Sequence, residues 1–462
     1  MVRFWLSALL ILLLQFADSY TTVKYLPGFE GPLPFQLETG YIGVDKSEDV
    51  QLFYYFVKSQ RNPKKDPLLL WLTGGPGCSA LSALLYEIGP ISFEVVEYNG
   101  SLPKLILNPH TWTQVASIIF IDIPVGTGFS YATNSFASLS TDLLQVQQAY
   151  QFFTKWLRGH PEFVTNPVYI AGDSYSGITL PAIVHRIIKG NEQRMEPLIN
   201  LKGYIIGNPV TDINFDGNAQ IPFAHGMGLI SDELYQSLKI TCEEDYVNID
   251  PTNAKCLKDM QEFNKCISGL QPAQILEPIC GFASPKPFQI FHNRRSLIQN
   301  PFLKLLEIDP SFPTIGCRIY GYVLSYIWAD DKSVRHALGI REQSRKQWLR
   351  CNYGLPYMFD IPSSIKYHAY LGNKGYRSLI YSGDHDIVVP FLGTQGWIRS
   401  LNYSILDDWR PWVVEGQIAG YTRSYSNRMT FATVKGGGHT APEYKPRECF
   451  AMFKRWIDQD PL

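Results

Sequence analysis

Gly172-Asp173-Ser174-Tyr175-Ser176-Gly177 follows the apolar run Val168-Tyr169-Ile170-Ala171 and precedes a helix-like stretch beginning at Ile178. A strand, a sharp turn and a helix in that order lift a serine hydroxyl clear of a sheet edge, and only small residues two before and two after the serine let the turn close. Gly172 and Ser176 meet that demand, so Ser174 is the expected nucleophile. The usual pattern ends in Gly where this chain has Ser176, which makes the partners decisive. A serine hydroxyl needs a histidine to take its proton, and the histidine needs a carboxylate to fix its tautomer and stabilise the imidazolium. His439 follows the strand-like run 429–434 and the glycines Gly436-Gly437-Gly438, and is the expected general base. The acid should fall between them in the chain, and Asp384 and Asp386 both occupy the loop after the apolar run 378–381. Asp386 is the expected acid. Asp384, directly after Gly383, is placed to cap its own turn.

An acyl transfer also requires backbone N–H groups aimed at the developing oxyanion. Gly74-Gly75-Pro76-Gly77 offers unshielded backbone after an early apolar run, so Gly75 and Tyr175 are the expected donors. This loop lacks the Lys-Ser/Thr ending of a P-loop and the spacing of a dinucleotide-binding turn, which argues against phosphate.

The elements that must position these groups are short apolar runs, each ending in a Gly- or Pro-rich turn: 68–72, 118–123, 168–171, 378–381 and 429–434. They read as buried parallel strands feeding loops. Helix-like segments at 142–158 and 180–189 lie between them, so the expected fold class is α/β with a doubly wound, mostly parallel central sheet, whose ligands bind beyond the carboxyl ends of the strands. From 216 to 341 this rhythm is lost, although 232–242 and 251–266 look helical and five of the eight cysteines fall there. That stretch is the expected cap insertion, with 20–215 and 342–462 as the two parts of the core. Within it, 281–316 carries five prolines and the dibasic Arg294-Arg295, a composition suited to an exposed, protease-sensitive loop.

The chain has 462 residues, 45% apolar and 18% charged, with a formal net charge of −1. These values suit a folded protein with a substantial core and give no electrostatic reason to expect nucleic acid. Arg3, the apolar run 4–16 and Ala17-Asp18-Ser19 read as a signal peptide over 1–19. That run falls short of the roughly 20 residues needed to span a bilayer, so no membrane span is expected and the destination is the secretory pathway, secreted or vacuolar. Asn99-Gly100-Ser101 and Asn402-Tyr403-Ser404 are acceptor tripeptides that make Asn99 and Asn402 expected glycosylation sites. The cysteines at 78, 242, 256, 266, 280, 317, 351 and 449 show no zinc-clip spacing and suit disulfides in an oxidising compartment, so neither a metal nor another cofactor is expected.

Trp71-Leu72-Thr73-Gly74-Gly75-Pro76-Gly77-Cys78-Ser79, the run Gly172 to Gly177, Tyr381-Ser382-Gly383-Asp384-His385-Asp386 and Gly437-Gly438-His439-Thr440-Ala441-Pro442 together resemble the serine carboxypeptidase family. Leu26-Pro27-Gly28-Phe29, Gly128-Phe129-Ser130-Tyr131, Gly207-Asn208-Pro209 and His225 to Ile230 resemble it too, so the likeness runs along nearly the whole chain after residue 19. The resemblance implies an α/β-hydrolase fold with a disulfide-stapled cap, a Ser174, Asp386 and His439 triad, and oxyanion donors from Gly75 and Tyr175. It also implies disulfides Cys78–Cys351, Cys242–Cys256 and Cys280–Cys317, leaving Cys266 and Cys449 unassigned.

In the peptidases of this family a glutamate before the nucleophile, an asparagine before the Gly-Gly pair and another glutamate hold the peptide's terminal carboxylate. Here those positions are Asp173, Thr73 and Glu87, so the clamp is altered, and Thr73, Gly74, Glu87 and Asp173 are the expected substrate-binding residues. Asp reaches one methylene less far than Glu, and Thr offers a hydroxyl in place of an amide. These forms resemble the plant serine carboxypeptidase-like acyltransferases, which pass a phenolic acyl group from a 1-O-glucose ester to an acceptor. The resemblance thus favours an acyltransferase with a small-molecule donor and acceptor. The alternatives are a carboxypeptidase releasing C-terminal residues at acidic pH and a non-catalytic binding protein on the same fold.

Overall fold

The computed structural model describes residues 20–279, 317–344 and 347–462. The expected signal peptide and the whole proline-rich part of the insertion, 281–316, lie outside the described residues.

Six consecutive strands of a twelve-stranded sheet run parallel, in the spatial order Ser117–Ile121, Leu68–Leu72, Val168–Asp173, Leu201–Gly207, Arg377–Gly383 and Met429–Val434. Side chains of successive strand residues point to opposite faces, and both faces are covered. Leu69, Trp71, Ile118 and Phe120 enter one apolar cluster, whereas Leu68, Leu70, Leu72, Ile119 and Ile121 enter the other. Helices Asp142–Gly159 and Ser176–Glu192 supply the second cluster, and helix Pro446–Asp458 supplies the first through Cys449, Met452, Phe453 and Trp456. This is the doubly wound arrangement expected from the sequence.

Antiparallel strands extend both edges. Tyr20–Val23, Leu37–Val44 and Val50–Val57 lie beyond Ser117–Ile121, and the hairpin of Ile405–Val414 and Gln417–Tyr425 lies beyond Met429–Val434.

Inside the expected insertion, helices Gln220–Gly226, Asp232–Thr241 and Ala254–Ile267 enclose their own apolar cluster around Phe223, Leu238 and Phe263, stapled by Cys242–Cys256. Helix Tyr320–Asp330 instead adds Tyr320, Leu324 and Trp328 to the cluster built on the sheet. Cys78–Cys351 is formed, and Cys317 is disulfide-bonded, its expected partner Cys280 lying outside the described residues. Cys266 is a free, exposed thiol and Cys449 a free, buried one. Asn99 and Asn402 are both exposed. Among the described residues, no helix is long and apolar enough to cross a membrane.

Candidate active site

The strand Val168–Asp173 ends directly in Ser174, whose φ of 55° lies in the left-handed region, and helix Ser176–Glu192 follows. A non-glycine residue pays strain there, and the surrounding backbone holds it: Ser174 N–H donates to Gly207 O at 2.9 Å, and Ser174 O accepts from Gly177 and Val210 N–H at 2.9 Å each. A Cβ on Gly172 would stand 2.3 Å from Leu72 O and 2.5 Å from Ser176 Oγ, and one on Gly177 would stand 2.4 Å from Val210 O. Strand and helix therefore close on each other only with these small residues, which is the demand read from the sequence.

His439 comes off the end of strand Met429–Val434 and Asp386 off the end of Arg377–Gly383, two neighbours in the sheet. His439 Nε2 is 2.7 Å from Ser174 Oγ, and Nδ1 is 2.8 Å from Asp386 Oδ2. Asp386 is fully buried and accepts further hydrogen bonds from Val388 N–H (2.7 Å), Asn208 Nδ2 (2.9 Å) and Val389 N–H (3.3 Å). Asp384 faces elsewhere: its Oδ1 accepts from Gly436 N–H at 2.7 Å and lies 2.5 Å from His385 Nδ1, so instead of capping its own turn, as expected, it ties that turn to the loop that leads to His439. Burial works against charging His439, but the charge and hydrogen bond of Asp386, and the charge of Asp173, leave its pKa raised above 6.5. Such a run can carry the serine proton to the imidazole and stabilise the cation that results.

The glycine loop lies against this elbow. A Cβ on Gly74 would be 2.5 Å from Ser174 Cβ and 2.8 Å from Tyr175 N. Two buried carboxylates brace the neighbouring backbone. Asp122 accepts from Ser79 Oγ (2.7 Å), Ala80 N–H (2.8 Å) and Phe129 N–H (2.9 Å), and burial pushes its pKa up to about 6. Asp142 accepts from the hydroxyls of Tyr175 (2.6 Å) and Tyr357 (2.8 Å) and from the N–H groups of Asp360 (2.8 Å) and Ile361 (2.9 Å). The side chain of Tyr175 is thus held at its hydroxyl end.

Beside Ser174 lies a cavity of about 110 Å³ lined by all four expected substrate-binding residues, Thr73, Gly74, Glu87 and Asp173. Asp173 Oδ1 accepts from Gly74 N–H at 3.1 Å, and Thr73 Oγ1 accepts from the Trp71 indole at 3.2 Å, keeping its own proton to donate. Glu87 ends the π-helical turn Ala83–Glu87, is 3% exposed, and its Oε2 has no partner. Burial, then the charge of Asp173, raises the Glu87 pKa well above the carboxylate range, and burial pushes Asp173 up to about 6 against the pull of His439 and Gly74 N–H. Two acids in a confined space retain a proton that free carboxylates would lose.

Asn208, Asp142 and Arg350 are the site residues that sequence reasoning did not assign. Arg350 lines the cavity with its guanidinium 4.1 Å from the centre of the Tyr322 ring. The implied Cys78–Cys351 bridge was the available signal for it, because that bridge brings residue 350 to the glycine loop, where Ser79 N–H donates to Arg350 O at 2.7 Å.

A mostly parallel sheet with a serine elbow at the carboxyl end of one strand and histidine and aspartate beyond two others defines an α/β-hydrolase fold. The chain belongs to the serine carboxypeptidase family, whose model matches residues 27–459. It is 53% identical over 448 residues to serine carboxypeptidase-like 2 of Arabidopsis thaliana, covering 97% of this chain and 95% of that one. To serine carboxypeptidase-like 17 of the same plant it is 52% identical over 454 residues, covering 98% and 97%. Among solved structures, a prohormone-processing carboxypeptidase from Saccharomyces cerevisiae superimposes with a TM-score of 0.75 at 20% identity, covering 95% of each chain, which is a likeness of fold.

Proposed function

We propose that this chain is an acyltransferase that moves a phenolic acyl group from a 1-O-glucose ester to an acceptor hydroxyl or amine. Ser174 Oγ bonds to the ester carbonyl carbon while His439 Nε2 takes its proton, and the oxyanion is held by the N–H groups of Gly75 and Tyr175. Collapse breaks the bond to the sugar oxygen, which leaves with the proton from His439. The acceptor then surrenders its proton to His439 and attacks the acyl-serine, restoring the hydroxyl. No cofactor enters this cycle. The secretory pathway, ending outside the cell or in the vacuole, and glycans on Asn99 and Asn402 belong to the same proposal.

The observation that carries the reading is the engagement of the carboxylate clamp. Asp173 spends one oxygen on Gly74 N–H and Thr73 spends one of its lone pairs on the Trp71 indole, where the family's peptidases present glutamate and asparagine. What the clamp positions leave for a ligand is a hydroxyl proton on Thr73 and the carboxyl groups of Glu87 and Asp173, donors and acceptors that can hydrogen-bond the hydroxyls of a sugar, with Arg350 lining the same cavity. Incubation with sinapoyl- or galloyl-glucose plus candidate acceptors, and separately with blocked dipeptides, tests it. Ester exchange with little dipeptide cleavage is expected. Efficient release of C-terminal residues without ester exchange makes the chain a carboxypeptidase, and absence of labelling of Ser174 by a serine-directed probe makes it a binding protein.

A further inference from the structure

Residues 272–275 belong to the expected insertion, yet they lie across the two loops that carry Asp386 and His439. Pro272 O accepts from Ile387 N–H and Ile275 N–H donates to His385 O, both at 3.1 Å, so the residue on either side of Asp386 is held. Ala273 O accepts from His439 N–H at 2.7 Å, and Gln274 Nε2 donates to Gly436 O at 3.0 Å, so the same short strap also holds the histidine and the glycine turn before it. Gln274 and Gly436 are 162 residues apart in the chain, and it is the folded insertion that brings them together.

The strap is fixed from behind and fits closely in front. Gln274 is 3% exposed, and Ile275 enters the apolar cluster of Leu238, Phe263 and the stapled Cys242 and Cys256, which Ile387 of the acid loop enters too. A Cβ on Gly438 would lie 2.3 Å from Ala273 O and 2.9 Å from Gln274 Cβ. The contact of His439 Nδ1 with Asp386 Oδ2 at 2.8 Å joins side chains of two separate loops, so its length follows the distance between their backbones. Misplacing a catalytic group by about 1 Å costs about 10²-fold in rate, and the strap is bonded to both loops. We propose that strap 272–275 positions the catalytic pair, holding the His439 backbone against that of Asp386 so that the carboxylate reaches Nδ1, with Gln274 as a positioning residue. The insertion thereby completes the site as well as covering it. This role rests on the serine chemistry proposed above and is the same whether the acyl group passes to an acceptor or to water.

Two variants at this seam test it, with p-nitrophenyl acetate as substrate and a fluorophosphonate probe for Ser174. Gln274→Met keeps the length of the side chain and removes the donor to Gly436 O. Gly438→Ala drives a methyl group against Ala273 O, so the seam must open by about 1 Å. For Gln274→Met, kcat should fall about 3- to 10-fold, the loss of one hydrogen bond, and KM should hold because Gln274 is not among the residues lining the cavity. For Gly438→Ala, kcat should fall about 10²-fold. Asp386 and Asp173 are the charges that raise the His439 pKa, and both remain in both variants. A histidine that has drifted from Asp386 loses part of that lift, so the acid limb of kcat should move to lower pH. The limb decides between positioning and mere support, because lost stability lowers the folded fraction without moving it. A fall in kcat with the limb at its wild-type position, in variants that melt cooperatively, makes the strap a support of the fold and overturns the proposal. Wild-type kcat in Gln274→Met overturns it as well, and that variant decides alone if Gly438→Ala does not fold. A wild type that neither releases p-nitrophenolate nor is labelled at Ser174 overturns the serine chemistry and the positioning role with it.

Discussion

Asn208 Nδ2 donates to Asp386 Oδ2 at 2.9 Å, the same oxygen that faces His439 Nδ1 at 2.8 Å. Asn208 is itself fixed in three ways: a φ of 42°, its N–H on Tyr381 O at 2.7 Å, and its Oδ1 accepting Gly383 N–H at 3.1 Å. It is fully buried, so no water replaces the amide if it is removed. Asn208→Ala should therefore let the carboxylate swing and cost one charge-assisted hydrogen bond, about 1.5–3 kcal/mol, which is roughly 10- to 100-fold in kcat. KM should change little, because Asn208 is not among the residues lining the cavity. Steady-state kinetics on any turned-over ester measures both.

The charge of Asp386 also sets where the rate falls with acid. His439 must be neutral to accept the serine proton, and its pKa is raised, so activity drops as pH falls through a value above 6.5. Asp386→Asn removes the charge while nearly preserving shape. The acid limb of kcat/KM should move to lower pH, and the plateau should fall by about 10⁴-fold because the imidazole loses its fixed tautomer. A pH–rate profile of the two proteins reads limb and plateau independently.

Much of this site was legible because each group follows a short, mostly apolar run. The runs 68–72 and 429–434 coincide with strands, and Ser174, Asp386 and His439 follow three such runs in chain order. Strand Leu201–Gly207 was not legible: Lys202 breaks the run, and Gly203 stands there because a Cβ would meet Arg377 O at 2.1 Å. Strand Leu37–Val44 was hidden in a similar way, since its buried Glu38 reads as polar until the fold supplies Tyr54 and His160 as partners. Asp142 shows no local sign of its role, because its partners Tyr175, Tyr357, Asp360 and Ile361 lie 33 to 219 residues away in the chain.

Asp216 gives the fold a pH dependence separate from the rate. It is buried, its Oδ2 accepts from Thr211 and Asp212 N–H, and its Oδ1 has no partner. Burial raises its pKa to about 7 against those two hydrogen bonds, while an unfolded aspartate sits near 3.9. A carboxyl that binds its proton more tightly in the folded state contributes stability that is complete below about pH 4 and is lost as pH rises through about 7. Asp216→Asn keeps the acceptor and removes the charge. It should raise Tm at pH 7.5 by roughly 2–4 °C and leave it unchanged near pH 4, as thermal melts at the two pH values will report.

In the proposed reaction, Gly74 borders the space between Ser174 and the Tyr175 amide where the developing oxyanion would be received. A methyl group there would lie 2.5 Å from Ser174 Cβ, 2.8 Å from Tyr175 N and 2.9 Å from Ser174 Oγ, so it competes for the space that a carbonyl oxygen needs beside the Tyr175 amide. Losing one oxyanion donor typically costs about 10²–10³ in kcat, and a methyl that also crowds the nucleophile should cost at least that much. Gly74→Ala should therefore abolish most turnover and slow labelling of Ser174 by a serine-directed probe. Its Tm should also fall, because the contacted atoms belong to the elbow backbone and cannot yield freely. Gly159→Ala is the control: a Cβ at Gly159, in helix Asp142–Gly159, meets nothing within 4 Å, so the rate should stay at the wild-type value and Tm should not fall. Equal turnover in the two variants would mean that the space above Gly74 is not where the carbonyl oxygen sits.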